Sequence, residues 1–170
     1  MTSLYNKTYL NNIKKQKNKL LALYLILLGV VLLIEAGIIV YYALQPFGNN
    51  LTEPLKILMF SIAIVFVLFS GVYLSITYGR VLRYYQFLLN LLYSKKAKLT
   101  ATVISISYET KTSAGVDFYT MDVLEWSETQ NDYVKHIILI DNEFKNLDII
   151  EGDIITITTS LNALMEYTKN

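Results

Sequence analysis

Two long apolar stretches constrain the fold of this chain more than any other feature of its sequence. Residues 20–44 contain one charged residue, Glu35, and residues 55–78 contain one, Lys56. A helix of about 20 apolar residues crosses roughly 30 Å of hydrocarbon, so each stretch is long enough to span a bilayer. An apolar content of 54% is also typical of membrane proteins. The sequence therefore predicts a multi-pass protein of the cell membrane.

Basic residues flank both predicted spans, whereas the connecting residues 45–54 contain none. Because Lys and Arg accumulate on the cytoplasmic side, this distribution predicts that both chain termini are cytoplasmic. The connection is rich in Pro, Gly and Asn, which favours a turn and an antiparallel helical hairpin. The flanking basic residues are Lys7, Lys14, Lys15, Lys17 and Lys19 before the first span, and Arg80, Arg83, Lys95, Lys96 and Lys98 after the second.

The charges divide the chain into two parts. Residues 1–98 carry eleven Lys or Arg and two Asp or Glu, while residues 99–170 carry four and twelve. A split of this size indicates two environments. We predict a basic cytoplasmic segment (residues 1–19), a transmembrane hairpin (20–78), a basic amphipathic connector (79–98) and an acidic soluble β domain (99–170).

Small residues recur every seven positions in both predicted spans. If Leu44 and Leu55 lie level, antiparallel neighbours have numbers that sum to 99, and the small residues of the two spans then match. Since small residues let membrane helices approach closely, this register predicts a packing seam. The alternative is that Gly, Ala and Ser are simply common in such helices. The seam consists of Ala22, Gly29, Ala36, Ala63, Ser70 and Thr77.

Glu35 lies beside this predicted seam, about 100° around the helix from Ala36. An unpaired acid in lipid is expensive, so an intramembrane carboxylate marks a functional site by default. Three interpretations stay open: Glu35 meets a third helix from another subunit or copy, it stays protonated or reaches the outer surface, or it reaches Lys56.

After Tyr78 the pattern becomes that of a basic amphipathic helix, whose Arg80, Arg83, Lys95, Lys96 and Lys98 we expect to contact lipid headgroups. From Leu99 the period changes to two, which predicts strands over residues 99–108, 116–126, 133–140 and 153–159 and a fifth strand or helical turn over 161–167. Turns are expected over 109–114, 127–132 and 141–146. The predicted fold class is an α+β membrane protein whose tail is a small barrel of the OB or SH3 kind, with a two-layer sheet as the alternative.

Residues Ile150-Glu151-Gly152-Asp153-Ile154-Ile155 form a hydrophobic-E-G-D turn that leads into a β-branched strand. In this turn and in its hairpin layout the chain resembles small two-span membrane proteins of unknown function from low-GC bacteria, whose cytoplasmic tail is an NfeD-like barrel. The chain lacks the Gly-rich start and the proteolytic partner domain of that group. The resemblance implies an architecture and no activity.

Residues with catalytic chemistry are few. A catalytic site would need His136 as base, Ser105 or Ser107 as nucleophile and Asp141 as orienting acid, but nothing in the sequence fixes that geometry. The chain has no cysteine and one histidine, so we predict no catalytic, cofactor or metal site. Phe118, Tyr119 and Trp126 are able to stack on single-stranded nucleic acid, but the negative charge of the tail disfavours phosphate.

These observations predict a non-enzymatic membrane accessory or scaffolding protein that presents its β module to a protein partner. Partners are expected to be the bilayer and either a second protein or another copy, contacted through the spans, the β domain or both. The alternative is a membrane-tethered sensor whose barrel binds a small molecule or a cation.

Overall fold

The computed structural model describes residues 2–46, 52–113, 115–144 and 147–169. The chain forms two compact units. One is helical and contains residues 14–82, and the other joins residues up to Ile13 with those from Arg83 onward. The boundaries between the units fall inside helices. The two chain segments that flank the helical unit in sequence both belong to the second unit.

Helices α1 (Lys7–Ala43) and α2 (Thr52–Val72) are the long apolar elements of the chain. A π-helical segment, Tyr73–Tyr78, and helix α3, Gly79–Tyr93, follow α2. Two helices are long and apolar enough to cross a membrane, by length and composition alone. The predicted turn is shorter than residues 45–54, because α2 begins at Thr52 and takes Pro54 into its first turn, where a missing amide proton costs nothing. Residues 47–51 lie outside the described part.

Aromatic stacking holds the helical unit together. Tyr24 of α1 stacks on Phe66 and on Tyr73, with ring centroids 6.2 and 5.7 Å apart. The Tyr73 hydroxyl donates a hydrogen bond of 3.0 Å to the Leu20 carbonyl. Ser61 and Ser70 each donate to the carbonyl four residues earlier, which satisfies their hydroxyls within an apolar surrounding.

The second unit is a closed five-stranded β-barrel with one added strand. Neighbouring strands follow the order β2-β3-β4-β6-β5, β5 also pairs with β2, and β1 extends the sheet on β6. Apolar helices followed by a small β-barrel confirm the predicted α+β class. The strands are β1 (Thr2–Ser3), β2 (Ala97–Ser113), β3 (Val116–Ser127), β4 (Asp132–Asp141), β5 (Ile154–Ser160) and β6 (Ala163–Lys169).

The bounds of the predicted strands agree with the structure to within two residues except at the end of β2, and strand β1 was not predicted. Strand β2 continues through residues 109–113, where a turn was predicted, because Lys111, Thr112 and Ser113 pair with the start of β3. The fifth strand, which the sequence left open as strand or helical turn, is β6. Residues 145–146 of the predicted 141–146 turn lie outside the described part, and Asn142–Phe144 before them form a 3-10 turn.

The junction between β4 and β6 has the fewest paired residues of the barrel: one pair, Leu139 and Ala163, is in register. Chain segments from outside the barrel cover this junction. Leu88 and Leu91 of α3 are fully buried there, and Leu10 from the start of α1 is also buried. Burying a leucine contributes roughly 1.5–3 kcal/mol, so these contacts compensate for missing backbone pairing.

The E-G-D turn joins the loop after β4 to the start of β5. Gly152 has φ +88°, a conformation that glycine adopts without steric cost. One carboxylate oxygen of Asp153 accepts a bond of 2.9 Å from the Ile150 amide and lies 2.8 Å from Lys169 Nζ. The Lys169 ammonium and these hydrogen bonds lower the Asp153 pKa. The turn is therefore a structural device that ties the start of β5 to the end of β6.

Candidate functional site

A buried carboxylate is the centre of the densest polar cluster in the described barrel unit. Asp141, at the end of β4, is 3% exposed. Its Oδ2 accepts hydrogen bonds from the Tyr5 hydroxyl, at 3.1 Å, and from the Tyr84 hydroxyl. Its Oδ1 accepts the Glu143 backbone N–H at 3.1 Å. Such charge-assisted bonds are the stronger class of protein hydrogen bond, and they offset part of the cost of burying a carboxylate.

A third phenol extends the cluster outward. The hydroxyl of Tyr9 lies 2.9 Å from that of Tyr84 and donates to the Glu143 carboxylate. We call Tyr5, Tyr9, Tyr84, Asp141 and Glu143 the tyrosine cluster. It joins three segments that are far apart in sequence: the residues before the helical unit, helix α3 and the end of β4.

Burial dominates the electrostatics of the tyrosine cluster. Desolvation raises the pKa of Asp141, while the bonds from Tyr84, Glu143 and Tyr5 oppose that rise. Desolvation and the nearby Asp141 raise the pKa of Tyr5 far above 10. The phenol therefore stays protonated at neutral pH and acts as a donor. Each group in the cluster has a hydrogen-bond partner, and the arrangement suits a structural joint better than proton transfer.

A second polar feature lies at one mouth of the barrel. His136 pairs with the core residue Val123, so its ring points toward the barrel axis. Its Nε2 lies 2.9 Å from a Glu125 carboxylate oxygen. Both residues line a groove of about 470 Å³, together with Ala97, Lys98, Leu99, Lys135, Ile137, Ile138, Thr159 and Asn162. The volume falls within the range of small-molecule sites.

The candidate catalytic residues are not brought together. His136 faces Glu125, whereas Asp141 lies five residues further along β4 within the tyrosine cluster. Ser105 contacts Asp122 at 3.5 Å, and Ser107 accepts the Glu109 amide at 3.4 Å. Among the described residues, no group of three or more His, Asp or Glu is placed to hold a metal ion.

Large side chains make up most of the half-buried stripes of the helical unit. Of the predicted seam, Gly29 and Ser70 are half-buried, whereas Ala22, Ala36, Ala63 and Thr77 are exposed. An added Cβ at Gly29 would meet no described atom within 4 Å. The stripes consist of Leu21, Tyr24, Leu28, Val31 and Ile38 in α1, and of Met59, Ile62, Phe66 and Tyr73 in the second helical run.

Glu35 lies on the half-buried stripe of α1, whereas the predicted register put it beside the contact. Its Oε1 is buried and has no hydrogen-bond partner within the described part of the chain. Lys56 lies 2.8 Å from the Glu53 carboxylate and 5.9 Å from the centre of the Tyr42 ring. The pair between Glu35 and Lys56 is therefore not formed.

The predicted headgroup-contacting residues Arg80, Arg83, Lys95, Lys96 and Lys98 are all exposed. Four of them, all but Arg80, belong to the barrel unit, and two of these lie close to other parts of it. Lys98 lines the mouth groove. The Arg83 side chain lies over Gly115 so closely that a Cβ there would be 2.5 Å from its Nε. Gly115 has φ +75°, so the turn between β2 and β3 needs glycine for two reasons.

Sequence reasoning did not identify Tyr5, Tyr9 and Tyr84 as site residues. The chain contains fourteen tyrosines, so their residue type carries no signal. A signal did exist in the spacing of the first two: Tyr9 and Ile13 lie four residues apart on one face of α1, and Tyr5 lies four residues before Tyr9, just ahead of the helix.

Comparisons of the chain with protein-family models, with curated proteins and with solved structures found no match.

Proposed function

We propose that this chain is a non-enzymatic integral membrane accessory or scaffolding protein, which holds a small β-barrel at the cytoplasmic face for a protein partner. One observation carries the proposal: the segments on both sides of the helical unit are built into the barrel unit. A barrel on a flexible linker would be attached at one end only. Here both chain segments that flank the helical unit are part of the module itself.

The position of β1 supports the proposed topology. Thr2 and Ser3 pair with Tyr167 and Glu166 of β6, so the beginning and the end of the described chain belong to one sheet. If α1 and α2 cross the bilayer, the two ends lie on the same side. The basic residues that flank both spans favour the cytoplasm as that side.

The strand order supports an OB-type barrel over an SH3-type barrel. Strands β2, β3 and β4 form a meander, β2 pairs with both β3 and β5, and β6 runs parallel to β4. A five-stranded Greek-key barrel of this kind is used in binding modules. Helix α3 and the residues before the helical unit pack over the junction between β4 and β6, where backbone pairing is incomplete.

The tyrosine cluster joins the flanking chain segments to the barrel. Its three segments meet at one buried carboxylate, and each polar group there is engaged in hydrogen bonds. A fully satisfied polar network in a low-dielectric site is rigid and specific. We therefore assign the cluster the role of a mount, which ties residues 2–13 and helix α3 to the barrel.

Recovery of the full chain from crosslinked membranes tests the proposal. We expect a stoichiometric second protein to co-purify in mild detergent. Its yield per copy of the chain should fall in Asp141→Asn, which loosens the mount, and stay unchanged in Glu109→Gln, an exposed acid used as control. A chain that is recovered alone at native abundance, or crosslinked to its own copies only, would contradict the accessory role.

The mouth groove favours a second candidate, a membrane-tethered sensor. Its volume of about 470 Å³ and its facing His136 and Glu125 are compatible with a small polar ligand or a cation. Ca²⁺ and a panel of small metabolites should then raise the thermal midpoint of the full chain in detergent. Glu125→Gln should abolish the rise, and Asp148→Asn, an exposed acid outside the groove, should preserve it.

A further inference from the structure

The free end of the β3–β4 hairpin carries an exposed aromatic pair. Trp126 and Tyr133 face each other across the ladder, with centroids 5.0 Å apart in an edge-to-face arrangement. They are 48% and 61% exposed. Aromatic side chains of this kind are enriched at protein interfaces, where they act as anchors.

The pair lies far from the mount. Phe118 is the partner of Asp141 in the β3–β4 ladder, and Trp126 follows eight residues later on the same strand. At about 3.3 Å per residue, Trp126 lies roughly 26 Å along the ladder from the tyrosine cluster. The pair therefore lies at the turn end of the β3–β4 hairpin, the end far from the tyrosine cluster.

The hairpin end is ordered by its own contacts. Asn131 adopts φ +48°, which asparagine tolerates in turns. Asp132 accepts the Tyr133 amide at 2.7 Å, and the hydroxyls of Ser127 and Thr129 lie 3.1 Å apart. A preorganised surface loses little entropy on binding.

The charge at this end has one sign. Glu128 and Asp132 are exposed beside the aromatic pair, and residues 125–134 contain no Lys or Arg. Lys135, the nearest lysine in sequence, is neutralised by Asp122 at 2.7 Å. An electronegative surface with an exposed indole attracts cations through both the carboxylates and the ring face. It repels nucleic acid and anionic lipid headgroups.

We infer that Trp126 and Tyr133, with Glu128 and Asp132, dock a Lys/Arg-rich segment of a protein partner. This inference rests on the proposed function and names the chemistry of the partner. The aromatic rings contact the aliphatic stems and cationic heads of the segment, and the two carboxylates pair with its charges.

The chain supplies its own reporter, because Trp126 is its single tryptophan. We would titrate the full chain in neutral detergent with a twelve-residue peptide of alternating Lys, Arg and Ala, and with the same peptide carrying Glu at the charged positions. The basic peptide should change the tryptophan emission saturably, and the acidic peptide should not. Raising NaCl from about 50 to 300 mM should weaken binding at least threefold.

Variants separate the surface from general attraction to a negative domain. Tyr133→Ala should weaken binding about fivefold, and Glu128→Gln with Asp132→Asn should weaken it to a similar extent. Tyr133→Phe should retain most of the affinity. Tyr93→Ala removes another exposed tyrosine, at the end of α3, and should leave binding unchanged. Near-UV circular dichroism checks that each variant is folded.

Several results would overturn the inference: no saturable change with the basic peptide, an equal response to the acidic peptide, equal binding by Tyr133→Ala, or tighter binding to phosphatidylglycerol vesicles than to the peptide. If a stoichiometric partner still co-purifies with Tyr133→Ala, any of these results contradicts the inference but not the proposed function. Peptide binding without any co-purified partner would instead count against the proposed function alone.

Discussion

Asp141 is the residue on which the joint between the barrel and its flanking segments depends. It accepts hydrogen bonds from two phenols and a backbone amide while it is almost completely buried. Replacing a buried acceptor leaves its donors unsatisfied, and each such donor costs roughly 1–3 kcal/mol. The hydrogen bonds of Asp141 therefore predict a large loss of stability when this one side chain is replaced.

We expect Asp141→Asn to lower the free energy of unfolding by about 2–3 kcal/mol, because an amide nitrogen then faces hydroxyl donors and leaves a buried donor without an acceptor. Denaturant unfolding of the full chain in neutral detergent measures this. Glu109→Gln, at an exposed position, should change stability by less than about 0.5 kcal/mol. Equal effects of the two substitutions would contradict the assigned role.

The pH dependence of this carboxylate should oppose that of Asp153. Burial raises the pKa of Asp141 above 3.8, so its contribution to stability decreases as pH rises from 3.8 through the folded-state pKa. The pKa of Asp153 is lowered, so its contribution is lost as pH falls below 3.8. Asp141→Asn should therefore cost more at about pH 4 than at pH 7, and Asp153→Asn should cost more at pH 7 than in acid. Unfolding series at several pH values check both signs.

At the scale of elements, the segment before the helical unit belongs to the barrel. Strand β1 pairs with β6, and Leu10 is 9% exposed within the cluster that contains Leu88 and Leu91. The basic character of residues 1–19 predicts a cytoplasmic segment and gives no sign of a role in the barrel. The apolar face formed by Tyr5, Tyr9 and Ile13 explains their burial against α3.

Leu10→Ala should therefore destabilise the barrel unit by about 2 kcal/mol, since a buried leucine is truncated and a cavity is left. Leu161→Ala, at a 55% exposed turn position, should cost much less. The tryptophan emission of Trp126, which lies in the barrel, follows unfolding of that unit specifically. An unaffected barrel in Leu10→Ala would show that residues 2–13 are not part of its fold.

The hairpin offers a matched comparison between two models of helix contact. If small residues form the seam, Ala36→Leu and Ala63→Leu should disrupt it, because added bulk separates the helices. If the large stripe forms it, Tyr24→Ala should be the damaging change, since Tyr24 stacks on Phe66 and Tyr73. We expect Tyr24→Ala to cost about 1–3 kcal/mol in mixed-micelle unfolding and the leucine variants to cost less. A larger cost for the two leucine variants than for Tyr24→Ala would support the small-residue seam instead.

At the scale of the whole molecule, the arrangement depends on where the bilayer lies. The chain has no cysteine, so single cysteines report accessibility without background. An impermeant maleimide should label Pro46→Cys on intact cells and should label Ser3→Cys and Ser127→Cys only after permeabilisation. Labelling of Ser127→Cys on intact cells would place the barrel outside and refute the cytoplasmic topology.

Apolar length was enough to specify two helices able to cross a membrane, and a period of two was enough to specify the strands of the tail. Both signals are local, because each depends on the spacing of apolar residues within one segment. Which side chains of different segments meet depends instead on the tertiary fold. Tyr5, Tyr84 and Asp141 meet through pairings between segments more than fifty residues apart, and local patterns contain no information about such distances. The stacking of Tyr24 on Phe66 and Tyr73 is likewise a contact between residues more than forty positions apart, which the repeat of small residues does not predict.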